Sequence, residues 1–511
     1  MSETTPLTAP EAVAPAHEEG ETRARNRLVI NLLLVSTFVV ILNETLMAVA
    51  LPHLMEDLSI TATAAQWLTT AFMLTMAVVI PITGYLLQRF NTRSIFIFAM
   101  TMFSAGTLIA ATASGFPMLL VGRVVQAGGT GVMMPLLMTT VMTLVPPASR
   151  GRTMGNISIV ISVAPAIGPT ISGVILSALG WRWMFILVLP IAVASLVLGA
   201  VRMRNVTTPR KSFFDVLSVI LSAFGFGGLV YGLSNIGTAP DVVWNAWVPL
   251  GVGAVALTAF ILRQLRLQRT DRALLDLRTF TSPTFTLSIT MMVVSMLALF
   301  GTVLLLPIYM QNVLHLDVLS TGLLLLPGGL LMGLAAPIVG RIYDRIGPTL
   351  LVVTGSTIVS AVFWGMTMLG ERTPFWWVLA AHISLSLGLA LMFTPLFTSA
   401  LGALRPELYS HGSAVIGSVQ QVAGAAGAAL FVTIMAAHAA SLMADGAGEV
   451  SATAAGIRLA FFCGAIISLF VIPIGFLIRK PKDAVAEPAG GEAAGGGPAA
   501  DEPAAIGPAA P

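Results

Sequence analysis

The sequence has 511 residues, of which 56% are hydrophobic and only 10% are charged, and its mean hydropathy is +0.91. These values exclude a soluble globular protein and predict an all-α polytopic membrane protein. The single cysteine, Cys463, excludes an internal disulfide framework. We expect no metal site, no cofactor and no nucleic-acid partner.

The two ends of the chain differ from the rest in composition. Residues 1–27 are polar and contain several Glu, so they do not form a cleavable signal peptide. Residues 481–511 are mostly Ala, Gly, Pro and acid, which cannot bury a core. Both segments are predicted to be disordered tails.

Fourteen apolar runs lie between these tails. Each approaches or exceeds the ~20 residues that cross a bilayer core. The predicted spans are 29–51, 65–87, 95–113, 117–144, 154–178, 183–201, 213–234, 246–265, 285–309, 319–340, 349–369, 375–401, 413–437 and 457–478.

The positions of the 26 Lys and Arg test this topology. With the N-terminus in the cytoplasm, only Arg182, Arg372 and Arg458 fall outside and only Arg123 falls within the membrane. All the others fall on the cytoplasmic side, as the positive-inside rule requires. The sequence therefore predicts both termini in the cytoplasm.

A short motif repeats in the two halves of the chain. Residues 84–89 (GYLLQR) end the second span, and residues 340–347 (GRIYDRIG) end the tenth. The repeat predicts two six-helix bundles, at 28–204 and 281–480, joined by a linker at 205–280 that carries two extra spans. Two related membrane halves are typical of alternating-access transporters, whose site lies where the halves meet.

Glu44 and Arg123 are the two charges predicted to lie deep in the membrane. An acid at that depth costs about 2.5–3.5 kcal/mol, so its default interpretation is functional. Counting residues along the helices puts both side chains ~21–24 Å from the inner face. We expect Glu44 to exchange protons with Arg123 tuning it; the alternative is a static pair that only fixes two helices.

Three amide residues, Asn43, Gln126 and Asn156, are candidates to line a substrate cavity. The alternative for each is a hydrogen bond to a neighbouring helix. No phosphate-binding Gly-x-x-x-x-Gly-Lys-Ser/Thr loop and no catalytic constellation is present, so we do not expect an ATPase or another enzyme.

Several motifs resemble those of the major facilitator superfamily, in particular its fourteen-span drug/proton antiporters. Residues 42–52 (LNETLMAVALP) resemble the acidic first-helix motif, with Asn43 at the usual Asp position and Glu44 next to it. Which of the two takes the acid's role stays open. Residues 122–131 around Arg123 are similar to the family's membrane-embedded Arg motif.

Two further motifs extend the resemblance. The repeated turn resembles the family's Gly-x-x-x-Asp-Arg-x-Gly loop, which implies gating roles for its residues. The second copy is complete, whereas the first has Gln88 for the acid and Asn91 for the last Gly. Residues 164–173 resemble the motif that marks exporters. The matching positions are Gly84, Arg89, Gly340, Asp344, Arg345 and Gly347 for the turns and Pro165, Gly168, Pro169 and Gly173 for the exporter motif.

The resemblance implies the fold of that superfamily and proton-coupled efflux of small, mostly lipophilic drugs or toxins across the plasma membrane. One alternative is an exporter dedicated to a single endogenous metabolite or antibiotic. Another is a membrane scaffold that transports nothing, although a scaffold needs neither a buried charge nor the turn motif. The expected partners are a small-molecule substrate, protons and the bilayer; a monomer is compatible with the sequence.

Overall fold

A computed structural model describes residues 16–203, 205, 209, 213–236 and 243–480. Within these ranges the chain is all-helical, and fourteen helices are long and apolar enough to cross a membrane, which confirms the predicted spans. They are α1 (Ala16–Asp57), α2 (Ala62–Arg89), α3 (Thr92–Ala111), α4 (Phe116–Leu144), α5 (Arg150–Ala178), α6 (Arg182–Arg202), α7 (Val216–Asn235), α8 (Val243–Leu267), α9 (Pro283–Ile308), α10 (Val318–Ile346), α11 (Thr349–Met366), α12 (Phe375–Gly402), α13 (Tyr409–Ala444) and α14 (Glu449–Leu477).

Polar residues and glycine set several helix ends. The side chains of Thr61, Ser282 and Asp317 accept hydrogen bonds from first-turn N–H groups of α2, α9 and α10. Gly347 ends α10 with φ of +82°, a conformation that favours glycine. The connections are mostly short, so successive helices reverse direction through the membrane.

The helices form two six-helix bundles. In the first, α1 packs against α4, α5 and α6, while α3 packs against α4 and α6; in the second, α13 and α12 pack against α9, and α11 against α12 and α14. The bundles meet through α5 against α10 and α2 against α13. Large apolar side chains such as Val201, Leu334 and Phe470 are exposed on the outside of the bundles, where lipid would cover them.

One face of the molecule is here called the basic side: the face where α2, α4, α10 and α12 end and where α5 and α13 begin. Its helix ends and turns carry the arginines of both repeated motifs, Arg89 and Arg345, together with Arg150 and Arg405. The other face is called the opposite side.

Helices α7 and α8 form the inserted pair. They pack along each other, and α7 also contacts α2 and α13. The pair therefore lies on the flank where α2 meets α13, and not where α5 meets α10.

The first helix is longer than its apolar run. It begins at Ala16, so residues 16–27 are helical and the prediction of disorder is wrong for this part of the N-terminal tail. The segment contains Ala, Glu and Arg, which have high helix propensity, and it continues an established helix, so no new nucleation is needed. Residues 1–15 and 481–511 lie outside the described residues, and the prediction of disorder there stays a prediction.

Candidate transport site

Arg123 is the centre of a buried polar cluster in the first bundle. It lies on α4 and is only 1% exposed. Its Nη1 donates to Gln126 Oε1 at 2.6 Å and to Asn43 Oδ1 of α1 at 3.4 Å. Its guanidinium lies over the Phe72 ring of α2, 4.0 Å from the centroid. The cluster thus joins α1, α2 and α4 around one cation.

Gln126 extends the cluster to α3. Its Nε2 donates to Thr107 Oγ1 at 2.8 Å, and Thr107 in turn donates to the Phe103 carbonyl oxygen. This reach is possible because Gly106 lies directly against the α4 backbone, where a Cβ atom would collide with the Gln126 backbone nitrogen. Of the three predicted cavity residues, Asn43 and Gln126 are therefore brought together by Arg123.

Two buried donors in this cluster have no partner among the described residues. They are Arg123 Nε and Asn43 Nδ2. Buried polar groups are normally paired, so these two donors are available for a further hydrogen bond. The polar capacity of the cluster is not used up by the helices themselves.

Glu44 lies beside the cluster without joining it. The described part of the chain contains no ion pair within 4.0 Å between Glu44 and Arg123, and no hydrogen bond to the carboxylate. Successive residues on a helix are about 100° apart. Glu44 therefore points between the direction of Asn43, towards α4, and that of Thr45, towards α5, and its side chain stays partly accessible. The roles of Glu44 and Arg123 in proton coupling remain predictions.

The exporter-like motif on α5 packs against α1 next to Glu44. Gly168 lies against Thr45, so that a Cβ atom would collide with the Thr45 hydroxyl, and Ser172 Oγ donates to the Leu46 carbonyl oxygen at 3.0 Å. Pro165 is exposed, and no atom lies near the place where Gly173 would carry a Cβ. Helix α5 is continuous through Pro169. Within the motif, Gly168 and Ser172 hold α1 at the predicted proton site.

Asn156 does not belong to this cluster. It is exposed on α5 about two turns from the basic side, whereas Arg123 lies about two turns from the opposite side on α4. The two are separated by much of the membrane thickness. The prediction that Asn156 shares a cavity with Asn43 and Gln126 finds no support in this arrangement.

The repeated turn of the second half forms the Asp344 contact, defined here as Asp344 with Gly151 and Arg152. The two carboxylate oxygens accept hydrogen bonds from the backbone N–H groups of Gly151 and Arg152, both at 2.8 Å. These groups belong to the first turn of α5, where a negative charge is favourable. Gly340 makes the contact possible because it lies against the Gly151 backbone.

The turn of the first half forms the Gln88 contact, defined as Gln88 with Glu407 and His411. Gln88 Nε2 donates to the Glu407 carbonyl oxygen at 3.2 Å and lies 2.8 Å from His411 Nε2. The partner is thus the start of α13, just as the partner of Asp344 is the start of α5. Gly84 lies beneath it, 3.0 Å between a would-be Cβ and His411 Nδ1.

The arginines of both turns make no cross-bundle contact among the described residues. Arg89 and Arg345 are exposed, and Asp344 does not pair with Arg345. An Asp/Arg ion pair is therefore not how this turn joins the helix ends, because the helix N-terminus supplies better-placed donors to the carboxylate. Gly347 serves as the C-cap of α10.

Further polar contacts between the bundles lie towards the basic side, and no sequence motif predicts them. Thr139 Oγ1 donates to Ser413 Oγ, Ser158 and Thr394 share a hydrogen bond of 2.9 Å, and Arg150 donates to the Tyr409 hydroxyl oxygen. Together with the Asp344 and Gln88 contacts they close the basic side. In the sequence, Gln88 is the one indication that this turn has a partner such as His411, because an amide in place of an acid needs a different hydrogen-bond partner.

A polar network behind the Gln88 contact ties in the inserted pair. Asp215, which precedes α7, accepts two hydrogen bonds from Arg263 of α8, at 2.6 and 2.9 Å. The hydrogen bonds from Arg263 lower the pKa of the Asp215 carboxyl below its usual 3.8. Gln264 accepts from the Leu274 and Leu275 N–H groups, and the Leu274 carbonyl oxygen faces Gly84. The linker thus supports the Gln88 contact from behind.

Comparison with known proteins agrees with this architecture. The model of the Major Facilitator Superfamily matches residues 33–428. The uncharacterized MFS-type transporter YcnB of Bacillus subtilis strain 168 is 41% identical over 463 residues, covering 90% of this chain and 97% of that protein. The lincomycin resistance protein LmrB of the same strain is 39% identical over 462 residues, covering 88% of this chain and 95% of that protein.

Among solved structures, the human organic anion transporter MFSD10 is similar with a TM-score of 0.60 and 14% identity, covering 88% of this chain and 99% of that one. At this identity the likeness concerns the fold alone. Both the family match and the fold describe a carrier of two related bundles. The chain belongs to the major facilitator superfamily and is a multi-pass membrane transporter, not an enzyme.

Proposed function

We propose that this transporter exports small, mostly lipophilic drugs or toxins from the cytoplasm in exchange for protons, across the plasma membrane. The basic side faces the cytoplasm in this proposal, because Lys and Arg are enriched in cytoplasmic loops. Both termini then lie in the cytoplasm, and the opposite side faces outward.

The observation that carries the proposal is Glu44, an acid within the membrane that has no ion-pair partner among the described residues although a buried arginine lies nearby. A permanently ionised carboxylate there would be costly unless it were paired. A carboxyl group that gains and loses a proton needs surroundings that do not hold it in a permanent ion pair.

Arg123 supplies the second part of the proposed step. In this structure it donates to Asn43 and Gln126, and its Nε has no partner within the described part of the chain. When Glu44 loses its proton, Arg123 can turn from Asn43 towards the new carboxylate. Asn43 then acts as the position where Arg123 rests while Glu44 is protonated, which gives both residues of the first-helix motif a role.

Alternating access supplies the transport step. The cross-bundle contacts at the basic side correspond to a carrier closed to the cytoplasm, in which proton uptake from outside promotes substrate release. Proton loss to the cytoplasm then accompanies rebinding of substrate. Opening must break the Asp344 and Gln88 contacts.

The name of the relative LmrB makes lincomycin the first substrate to test. Efflux should be measured in cells and in inside-out membrane vesicles, with and without a protonophore, for lincomycin and a panel of chemically unrelated drugs. Export of several panel members supports a multidrug carrier. Export of one compound alone favours the dedicated exporter.

The coupling residue is tested by Glu44→Gln, with Glu56→Gln as matched control, because Glu56 is an exposed acid near the end of the same helix. We expect Glu44→Gln to abolish proton-driven efflux at unchanged protein levels and Glu56→Gln to retain it. Asn43→Asp added to Glu44→Gln should restore part of the efflux if an acid at either position can meet Arg123. Normal proton-driven efflux by Glu44→Gln would disprove the assignment.

A further inference from the structure

His411 is a buried titratable residue that the proposed proton site does not use. It lies in the first turn of α13 on the basic side and is 4% exposed. Its partner, Gln88, belongs to the other bundle, so any change at His411 acts directly on the contact between the halves.

The geometry determines which form of His411 this contact accepts. The Glu407 carbonyl oxygen can only accept a hydrogen bond, so the group of Gln88 that faces it must be the NH₂. The same NH₂ lies 2.8 Å from His411 Nε2. An NH₂ group can only donate, and therefore Nε2 must carry a lone pair and no proton. The contact requires the neutral imidazole with its proton on Nδ1.

The surroundings offer no compensation for a second proton. Nδ1 is buried without a partner among the described residues and faces the backbone of Gly84. From the linker, His411 faces Asp276 and Arg278, but Asp276 already accepts from Arg278 Nε at 2.8 and 3.0 Å. A cation in the first turn of α13 is also opposed by the positive end of the helix dipole.

Other charges near the start of α13 are likewise engaged or exposed. Arg150 donates to the Tyr409 hydroxyl oxygen and to carbonyl oxygens at the end of α4. Glu407 contributes its backbone carbonyl oxygen to the Gln88 contact. Glu407 and Arg89 are both exposed residues. A proton on Nε2 would thus place N–H against N–H and leave a buried cation unpaired.

We propose that His411 is a second protonation site, distinct from Glu44, whose proton breaks the Gln88 contact and opens the basic side. Acid on that side then favours the state open to it. Only the identification of that side with the cytoplasm rests on the proposed function; there, cytoplasmic acid would hold the carrier open inward and slow export.

The test measures opening directly in the full-length protein. Phe90→Cys and Arg405→Cys, both at exposed positions flanking the contact, are spin-labelled in a Cys463→Ser background and reconstituted in nanodiscs. Distance distributions are recorded by double electron–electron resonance from about pH 8 to about pH 5, which brackets the ordinary titration of histidine. We expect the long-distance population to rise several-fold towards acid.

Two variants decide the cause. His411→Gln keeps an acceptor oxygen but cannot titrate, so the response should disappear; His315→Gln, an exposed histidine on the opposite side, is the control and should keep it. Gln88→Glu supplies a carboxylate that a protonated His411 can pair with, so acid should now close the basic side. The Gln88→Glu variant also tests the proposal if the His411→Gln variant does not fold.

Repeating the series with Glu44→Gln separates the two protonation sites. The part of the response that depends on His411 should persist there. A full response in His411→Gln, no response in the wild-type pair, or a Gln88→Glu response in the wild-type direction would each overturn the proposal. None of these outcomes depends on whether the transporter exports drugs or uses Glu44.

Discussion

The Asp344 contact and the Gln88 contact occupy equivalent places in the two halves, but their chemistry differs. Asp344 offers a carboxylate to two backbone N–H groups at the start of α5, and Gln88 offers a neutral amide to a carbonyl oxygen and an imidazole at the start of α13. Hydrogen bonds to a charged group are about twice as strong as neutral ones. The interface between α5 and α10 is therefore held more firmly than the interface between α2 and α13.

The two contacts also differ in their support. Behind the Gln88 contact lie the inserted pair and the linker, with Leu274 facing Gly84, while Asp344 receives an added contact from Lys480, which donates to its carbonyl oxygen at 3.0 Å. The weaker contact is thus the one with an extra layer of protein behind it. The first repeat lacks the acid, and its contact is supported by the packed linker and the polar network of Asp215, Arg263 and Gln264.

The largest expected difference concerns the glycines under the two contacts. A Cβ at Gly340 would collide with the Gly151 backbone, whereas a Cβ at Gly84 would meet mainly the His411 ring, which can shift. We expect Gly340→Ala to lower substrate transport about ten-fold or more, and Gly84→Ala to lower it by about three-fold or less. Transport in vesicles, normalised to protein level, measures both. Equal effects would show that the halves approach equally closely in the cycle.

The second comparison removes the polar groups themselves. Asp344→Ala should destabilise the closed basic side by about 2–3 kcal/mol and Gln88→Ala by about 1 kcal/mol, because only the first loses charge-assisted hydrogen bonds. The readout is maleimide labelling of Ser158→Cys in a Cys463→Ser background, since Ser158 is buried between the bundles against Thr394. Faster labelling with Gln88→Ala than with Asp344→Ala would reverse the order proposed here.

The third prediction concerns the support behind the Gln88 contact. Asp215→Asn breaks the pair with Arg263 and should destabilise the protein by about 1–3 kcal/mol, read as a lower melting temperature. Arg263 depresses the pKa of Asp215, so the pair's contribution is fully present above the usual pKa of 3.8 and is lost only as pH falls below it. The difference from wild type should therefore stay constant between about pH 8 and pH 5. A difference that shrinks in this window would contradict the assigned pKa shift.

The smallest effects are expected for the arginines of the two turns. Arg89→Ala and Arg345→Ala remove exposed side chains that have no cross-bundle hydrogen bond or ion pair in the described ranges, so each should change stability by less than about 0.5 kcal/mol and leave transport within about two-fold. Vesicle transport at two salt concentrations measures this. A large loss from either variant would show that the arginine engages a partner in the state open to the basic side.

The sequence was sufficient for the fold because membrane insertion constrains it strongly. Every predicted span, from 29–51 to 457–478, corresponds to a helix, since only helices satisfy the backbone of an apolar run in lipid. The repeated turn correctly located two equivalent helix ends. The helical extension over residues 16–27 was missed because polarity alone does not distinguish a solvated helix from a disordered tail.

The site was predictable only in part. Depth along a helix can be counted from sequence, and the count predicted Glu44 and Arg123 at similar depth. Counting residues along a helix does not show which of two adjacent side chains faces a partner. In the structure Asn43, which precedes Glu44, and not Glu44 itself, contacts Arg123. Contacts between the halves, such as Gln88 with His411, join residues hundreds of positions apart and leave no periodic signal.

Helix α5 connects the Asp344 contact with the surroundings of Glu44. Its first turn is held by Asp344, and about 26 Å further along, at ~1.5 Å per residue, Gly168 and Ser172 contact α1 at Thr45 and Leu46, directly after Glu44. The helix therefore connects, through one rigid element, the stronger contact of the basic side with the proposed proton site. A shift of α1 on protonation of Glu44 reaches the Asp344 contact through direct packing on α5, whereas it reaches Gln88 of α2 mainly by way of Arg123 and the Phe72 ring. We expect the Asp344 contact and the Gln88 contact to break one after the other. Protonation of the proposed site at Glu44 from outside drives the first, and the pH on the basic side controls the second.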